Sequence, residues 1–164
     1  MLAYVLPEDK LDGMLVYTAD KNGEGDRYFC KDGKIQRESD DGSRDSRYPK
    51  EDDHELDVPL AVLVNGNSAS ASEVFTGAVM DYDAGIVVGT TTFGKGIVQN
   101  LIPLGDGTAI KLTTAHYYTP NGFDLHGKGL EPDVVVEMDE ELQKKAVVEL
   151  SEDNQLQAAI EAMN

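Results

Sequence analysis

The chain has 164 residues, 40% of them hydrophobic, with a mean hydropathy of -0.37. That length suits one domain, or part of a larger one, and would bury roughly 70% of the surface exposed by the unfolded form. Its 14 basic and 31 acidic residues give a formal charge of -17. This is the wrong sign for a protein held to nucleic-acid phosphates or to anionic lipid. No apolar run approaches the roughly 18 residues of a membrane-spanning helix, so no membrane contact is expected from this chain. Cys30 stands alone, which excludes an intrachain disulfide and a cysteine-based zinc site. The start at Met1 lacks the basic, then apolar, pattern of a secretory signal.

In chain order, Leu2 to Leu6 reads as the tail of an element closed by Pro7, and Met14 to Thr18 as a short strand. Arg27 to Cys30 and Gly33 to Gln36 suit a hairpin around Asp32-Gly33. Residues 38–57 are dominated by Glu, Asp, Ser, Arg and Lys, and read as an exposed acidic loop: a solvated surface, or a flap. Leu60 to Val64 is a continuous apolar run before Asn65-Gly66-Asn67, as expected of a strand buried on both faces. The period then changes: Val74, Phe75, Ala78, Val79 and Tyr82 share one helical face within 70–82. Ile86 to Val88 is a second buried strand. Gly96 to Leu104 and Thr108 to Tyr118 are joined by Gly105-Asp106-Gly107 as a long hairpin. Asp133 to Glu137 closes the strands, and Glu140 to Leu150 and Asn154 to Met163 read as helices. The expected class is α/β: a βαβ unit with an appended antiparallel hairpin in residues 1–137, followed by a helical segment at 138–164.

A buried strand, a glycine turn and a serine opening a helix together present a nucleophile, because unpaired N–H groups at the helix start can hold an oxyanion. Here the string is Asn67-Ser68-Ala69-Ser70-Ala71-Ser72-Glu73, which is not the Gly-x-Ser-x-Gly elbow. Ser70 and Glu73 also satisfy the capping box S-x-x-E, which needs no catalysis, and the motif alone favours capping. A nucleophilic serine needs a base. His54, His116 and His126 come with no convincing partner, and no metal-ligand spacing stands out among them. Lys95 lies in Thr92-Phe93-Gly94-Lys95-Gly96-Ile97-Val98-Gln99. It could act as a base only if desolvation lowered its pKa from about 10.4 to about 7 or 8. On an exposed turn it would stay charged.

The strings PLAVLVNGNSASASEV, DYDAGIVVG, TTFGKGIVQ, DGTAIKLTTAHYYTPNG and GKGLEPDVVVE, in this order, resemble the catalytic core of the C-terminal processing peptidases, or tail-specific proteases. The resemblance implies a spiral βαβ fold of the kind seen in the Clp protease and crotonase group, truncated here at its N-terminus. It implies a serine endopeptidase with a Ser–Lys dyad: Ser70 as nucleophile and Lys95 as base. Gln99 would orient the lysine, Glu73 would lie near the dyad, and the Ala71 N–H would be an oxyanion donor. It implies no metal and no cofactor, polypeptide substrates with accessible C-terminal regions, and an extracytoplasmic setting. Two family features have no match. These are the Gly-Gly turn carrying a second oxyanion donor and the PDZ-type domain, so the isolated chain is expected to have little or no activity. The other readings are a non-catalytic peptide-binding scaffold on the same fold, and an acyl-CoA enzyme, to which the acidic composition gives little support.

Overall fold

The structure, a computed structural model, describes residues 1–6, 13–31, 34–49, 56 and 58–164. It contains a six-stranded and a three-stranded sheet. The larger comprises β1 (Met14–Ala19), β2 (Asp26–Lys31), β3 (Lys34–Ser39), β4 (Arg44–Pro49), β7 (Ile97–Pro103) and β8 (Ala109–Tyr118), in the order β4-β3-β2-β1-β8-β7. All its pairs are antiparallel. The smaller sheet is parallel, with β6 (Ile86–Gly89) between β5 (Ala61–Val64) and β9 (Val134–Val135).

The βαβ unit forms as its apolar periods require. β5 and β6 run in register from Ala61↔Ile86 to Val64↔Gly89, linked by α2 (Ala71–Asp81). Helix α2 packs against β6 and β1, and α4 (Asn154–Ala162) packs against β5 and β6. Val64, Val79, Val87, Val88 and Ala159 are buried there. A second cluster joins Ala3 and Leu6 of the N-terminal segment to Leu15, Cys30 and Ala78, so helix α1 (Leu2–Val5) docks where β1, β2 and α2 meet. Tyr82 reinforces this junction, its hydroxyl donating to the Met14 carbonyl at 2.6 Å.

The α/β class and the antiparallel hairpin beside the βαβ unit form as expected, and β8 further pairs with β1 from Tyr17↔Tyr118 to Ala19↔His116, joining the hairpin to the larger sheet. Three expectations change. Part of the stretch 38–57 is strand: β3 reaches Ser39, and β4 returns along it through a turn at Gly42, whose φ is +79°. Asp41-Gly42 is the same turn signal as Asp32-Gly33, but charged flanks masked it; a strand on a solvated ribbon needs no apolar alternation. Residues 50–55 and 57, including His54, lie outside the described residues. β5 is not buried on both faces, since Leu63 is 42% exposed. Finally, the helix expected over 140–150 is only α3 (Glu140–Gln143). Val147 and Leu150 beyond it are exposed, and a short helix without a packed face does not propagate.

Candidate active site

Ser70 sits where β5 has turned into α2. Its φ of +56° and ψ of -112° lie outside the usual wells of a non-glycine residue. An ordinary N-cap adopts extended backbone, so capping alone does not require this conformation. It costs on the order of 1–3 kcal/mol, and such strain concentrates at functional sites. The capping box of Ser70 and Glu73 is nonetheless formed, with the Ser70 N–H donating to Glu73 Oε2 at 2.9 Å.

Glu73 does more than cap. It is fully buried and accepts four hydrogen bonds, two on each oxygen. Oε1 takes the Thr92 hydroxyl at 2.5 Å and the Gly94 N–H at 2.6 Å. Oε2 takes the Lys95 N–H at 2.8 Å beside that of Ser70. Burial alone would raise the Glu73 pKa, but the donors Thr92, Lys95, Gly94 and Ser70 outweigh it and hold the carboxyl below its ordinary value. A buried ionised carboxylate thus ties the start of α2 to the segment carrying Lys95. A main-chain bond from Phe93 N–H to Ser68 O, 2.9 Å, adds a second tie between the same segments.

The Lys95 segment is held from its other side by residues 125–130. The Thr92 hydroxyl accepts from the Leu130 N–H at 2.8 Å while donating to Glu73. The Gly127 N–H donates to Gly94 O at 2.9 Å. The glycines permit this approach: a Cβ on Gly94 would lie 2.9 Å from Gly129 N, and one on Gly96 would lie 2.8 Å from His126 N.

The remaining expectations divide. The Lys95 side chain is exposed, as on the exposed turn the sequence suggests, and Phe93 beside it in sequence is 65% exposed. Gln99 is exposed and donates from Nε2 to Thr113 Oγ1 at 3.2 Å across the hairpin, making its hydrogen bond away from Lys95. Ala71 is the first residue of α2, where the backbone N–H groups are not used by the helix ladder. Beside it opens a cavity of about 700 Å³, lined by Ser68, Ser70, Ala71, Val74, Phe75, Val64 and others, with a largely apolar wall. Among the described residues no three His, Cys, Asp or Glu side chains converge as metal ligands, and no helix is long and apolar enough to cross a membrane.

One residue of this network went unread in the sequence. Thr92 lay inside the Thr-Phe-Gly-Lys-Gly string, but its relay to Glu73 depends on tertiary approach.

The chain is also similar to known proteins. Residues 79 in number align at 54% identity with a carboxy-terminal-processing protease of Bartonella bacilliformis, covering 48% of this chain and 18% of that protein. Among solved structures, a photosystem II D1 C-terminal processing protease superposes with a TM-score of 0.60 at 34% identity, over 83% of this chain and 30% of its own. A lipoprotein from Streptococcus agalactiae shares the fold, with a TM-score of 0.56 at 22% identity over 82% of this chain and 43% of its own. The chain therefore spans less than a third of the length of the two processing proteases. The family model described as Peptidase family S41 matches residues 9–136, most of the chain and all of the segments just described, and the chain belongs to that family.

Proposed function

We propose that this chain supplies the nucleophile and base of a serine endopeptidase that hydrolyses polypeptides at their C-terminal regions, with Ser70 and Lys95 as a dyad. The observation that carries the reading is the shared Glu73 carboxylate, whose Oε2 binds the N–H of both residues. Ser70 adds a strained backbone at the mouth of an apolar cavity, a combination that capping does not demand.

In this reading neutral Lys95 removes the proton of Ser70 Oγ, and the oxygen attacks the scissile carbonyl carbon. The Ala71 N–H at the start of α2 stabilises the oxyanion. Collapse of the tetrahedral intermediate expels the amine, which takes its proton from the Lys95 ammonium. Water, deprotonated by the lysine, then releases the acyl group from Ser70. Glu73 holds both backbone segments and transfers no proton. An exposed ammonium is a poor base, so the desolvation that Lys95 needs comes from a bound polypeptide lying over it. Gln99 would turn toward Lys95 when that polypeptide binds. The apolar wall of the cavity suits a non-polar substrate side chain next to the cleaved bond. The 164 residues alone are expected to be inactive, since one helix-start donor is half of a two-donor oxyanion hole. The family likeness also supports a working protein outside the cytoplasm.

The exposure of Lys95 favours one second reading, a peptide-binding scaffold on the same fold. Hydrolysis of an unstructured polypeptide by the protein carrying this chain separates the two. Peptidase activity lost in both Ser70→Ala and Lys95→Ala, with the fold intact, supports the dyad. An inert wild type, or an active Lys95→Ala, overturns it.

A further inference from the structure

Next to the Lys95 segment lies a polar cluster that the dyad does not use. Asp124 Oδ2 is 3.3 Å from His116 Nδ1, and Asp124 Oδ1 accepts the His126 N–H at 3.0 Å. The rings of His116 and His126 meet edge to face with centroids 4.8 Å apart. Asp124 also bridges to Tyr118 through the backbone. Burial raises the Asp124 pKa, but the His126 N–H and His116 outweigh it, so the carboxylate that accepts these bonds is ionised near neutral pH.

The position of this cluster gives it a role. His116 stands opposite Ile97 in the β7–β8 register, and the next residue, Tyr117, donates its N–H to Gly96 O at 2.8 Å. His126 precedes Gly127, whose N–H holds Gly94 O. The carbonyls on either side of Lys95 are thus bound by the neighbours of the two histidines that Asp124 joins. On the other side the Gly94 and Lys95 N–H groups are tied to Glu73. Besides the backbone bridge of Tyr118 and Asp124, the Asp124 side chain is the polar link between His116 of β8 and the start of the 125–130 loop.

We infer that Asp124 is a positioning residue for Lys95, locking His116 to the His126 backbone so that the strand and loop gripping Gly94 and Gly96 hold one fixed spacing. The inference rests on the assignment of Lys95 as the base. It predicts an effect on turnover and not on substrate affinity, because His116, Asp124 and His126 are not among the residues lining the cavity at Ser70. A small misplacement of a reacting group costs up to roughly a hundredfold in rate.

The test is steady-state cleavage of an unstructured, fluorescently quenched polypeptide by the protein carrying this chain, with thermal midpoints recorded alongside. Asp124→Ala should lower kcat roughly ten- to hundredfold with KM unchanged. Asp124→Asn keeps an acceptor for the His126 N–H and a polar group for His116, and should recover most of the loss. His116→Phe keeps the ring contact but not the bond, and should lower kcat in the same direction; it decides the matter if Asp124→Ala does not fold. Unchanged kcat in Asp124→Ala or His116→Phe, a loss confined to KM, or an Asp124→Asn as impaired as Ala overturns the inference. Lys95→Ala in the same series separates the two levels. If it stays active, the dyad assignment fails; if it is dead while Asp124→Ala is fully active, only the positioning role fails.

Discussion

Ser70 and Lys95 donate their backbone N–H groups to the same oxygen, Glu73 Oε2, at 2.9 and 2.8 Å. A capping glutamate normally serves its own helix. Here the same carboxylate reaches across to a second segment, so one side chain links the start of α2 to the backbone of the lysine.

Glu73→Gln is therefore expected to be severe although nearly isosteric. A glutamine offers one acceptor oxygen, and its amide nitrogen would face N–H donors. Two of the four donors lose their partner inside the core, and each unsatisfied group costs about 1–3 kcal/mol, so roughly 2–6 kcal/mol in total. Urea unfolding of the variant against wild type measures it. A loss below about 1 kcal/mol would mean that water or relaxation satisfies the donors.

The same carboxylate sets a pH dependence. Its folded pKa lies below its ordinary value, so the unfolded state binds the proton more tightly. The stability it contributes is complete above the unfolded value of about 4.3 and is lost as pH falls through the folded value. The gap in stability between wild type and Glu73→Gln should be constant from pH 5 to 7 and shrink on acidification below about 4. A gap that widens in acid would contradict an ionised Glu73.

How legible this was differs by element. β5, α2 and β6 were readable because each buries apolar residues with its own period, and Asp-Gly and Gly-Asp-Gly turns marked the hairpins. β4 was not, because its ribbon is polar and its partner strand, not its composition, makes it a strand. Ser70, Lys95 and Glu73 stood out as motif residues, yet the bond from Glu73 to Lys95 spans two loops and leaves no periodic trace. Lys95 was expected to need apolar cover; Phe93, beside it in sequence, points to solvent and gives none.

The glycines of the Lys95 segment make a sharper prediction. Gly94 has φ +84°, and an added Cβ would come within 2.9 Å of Gly129 N and 3.1 Å of Lys128 N. Gly105, at φ +86°, has nothing within 4 Å. Gly105→Ala should cost only the conformational term, about 1–2 kcal/mol. Gly94→Ala should exceed it, because backbone cannot swing aside, and should also reduce peptidase activity. Equal losses in thermal or urea unfolding would show that the 125–130 loop yields freely.

Ser70 itself offers a test that separates strain from chemistry. Its φ of +56° is one that glycine adopts without penalty and alanine does not. In Ser70→Gly the relief of about 1–2 kcal/mol is set against a few tenths for the lost capping hydroxyl, so the variant should match or exceed wild-type stability. Ser70→Ala keeps the strain and loses the cap, and should fall below Ser70→Gly by about 1–3 kcal/mol. Both should be without peptidase activity, since neither has a hydroxyl. Urea unfolding of the three proteins decides the first point: a Ser70→Gly that is less stable than wild type by as much as Ser70→Ala would mean that the serine backbone is not strained. A strained, replaceable serine whose removal stabilises the fold is what a residue kept for its chemistry should look like.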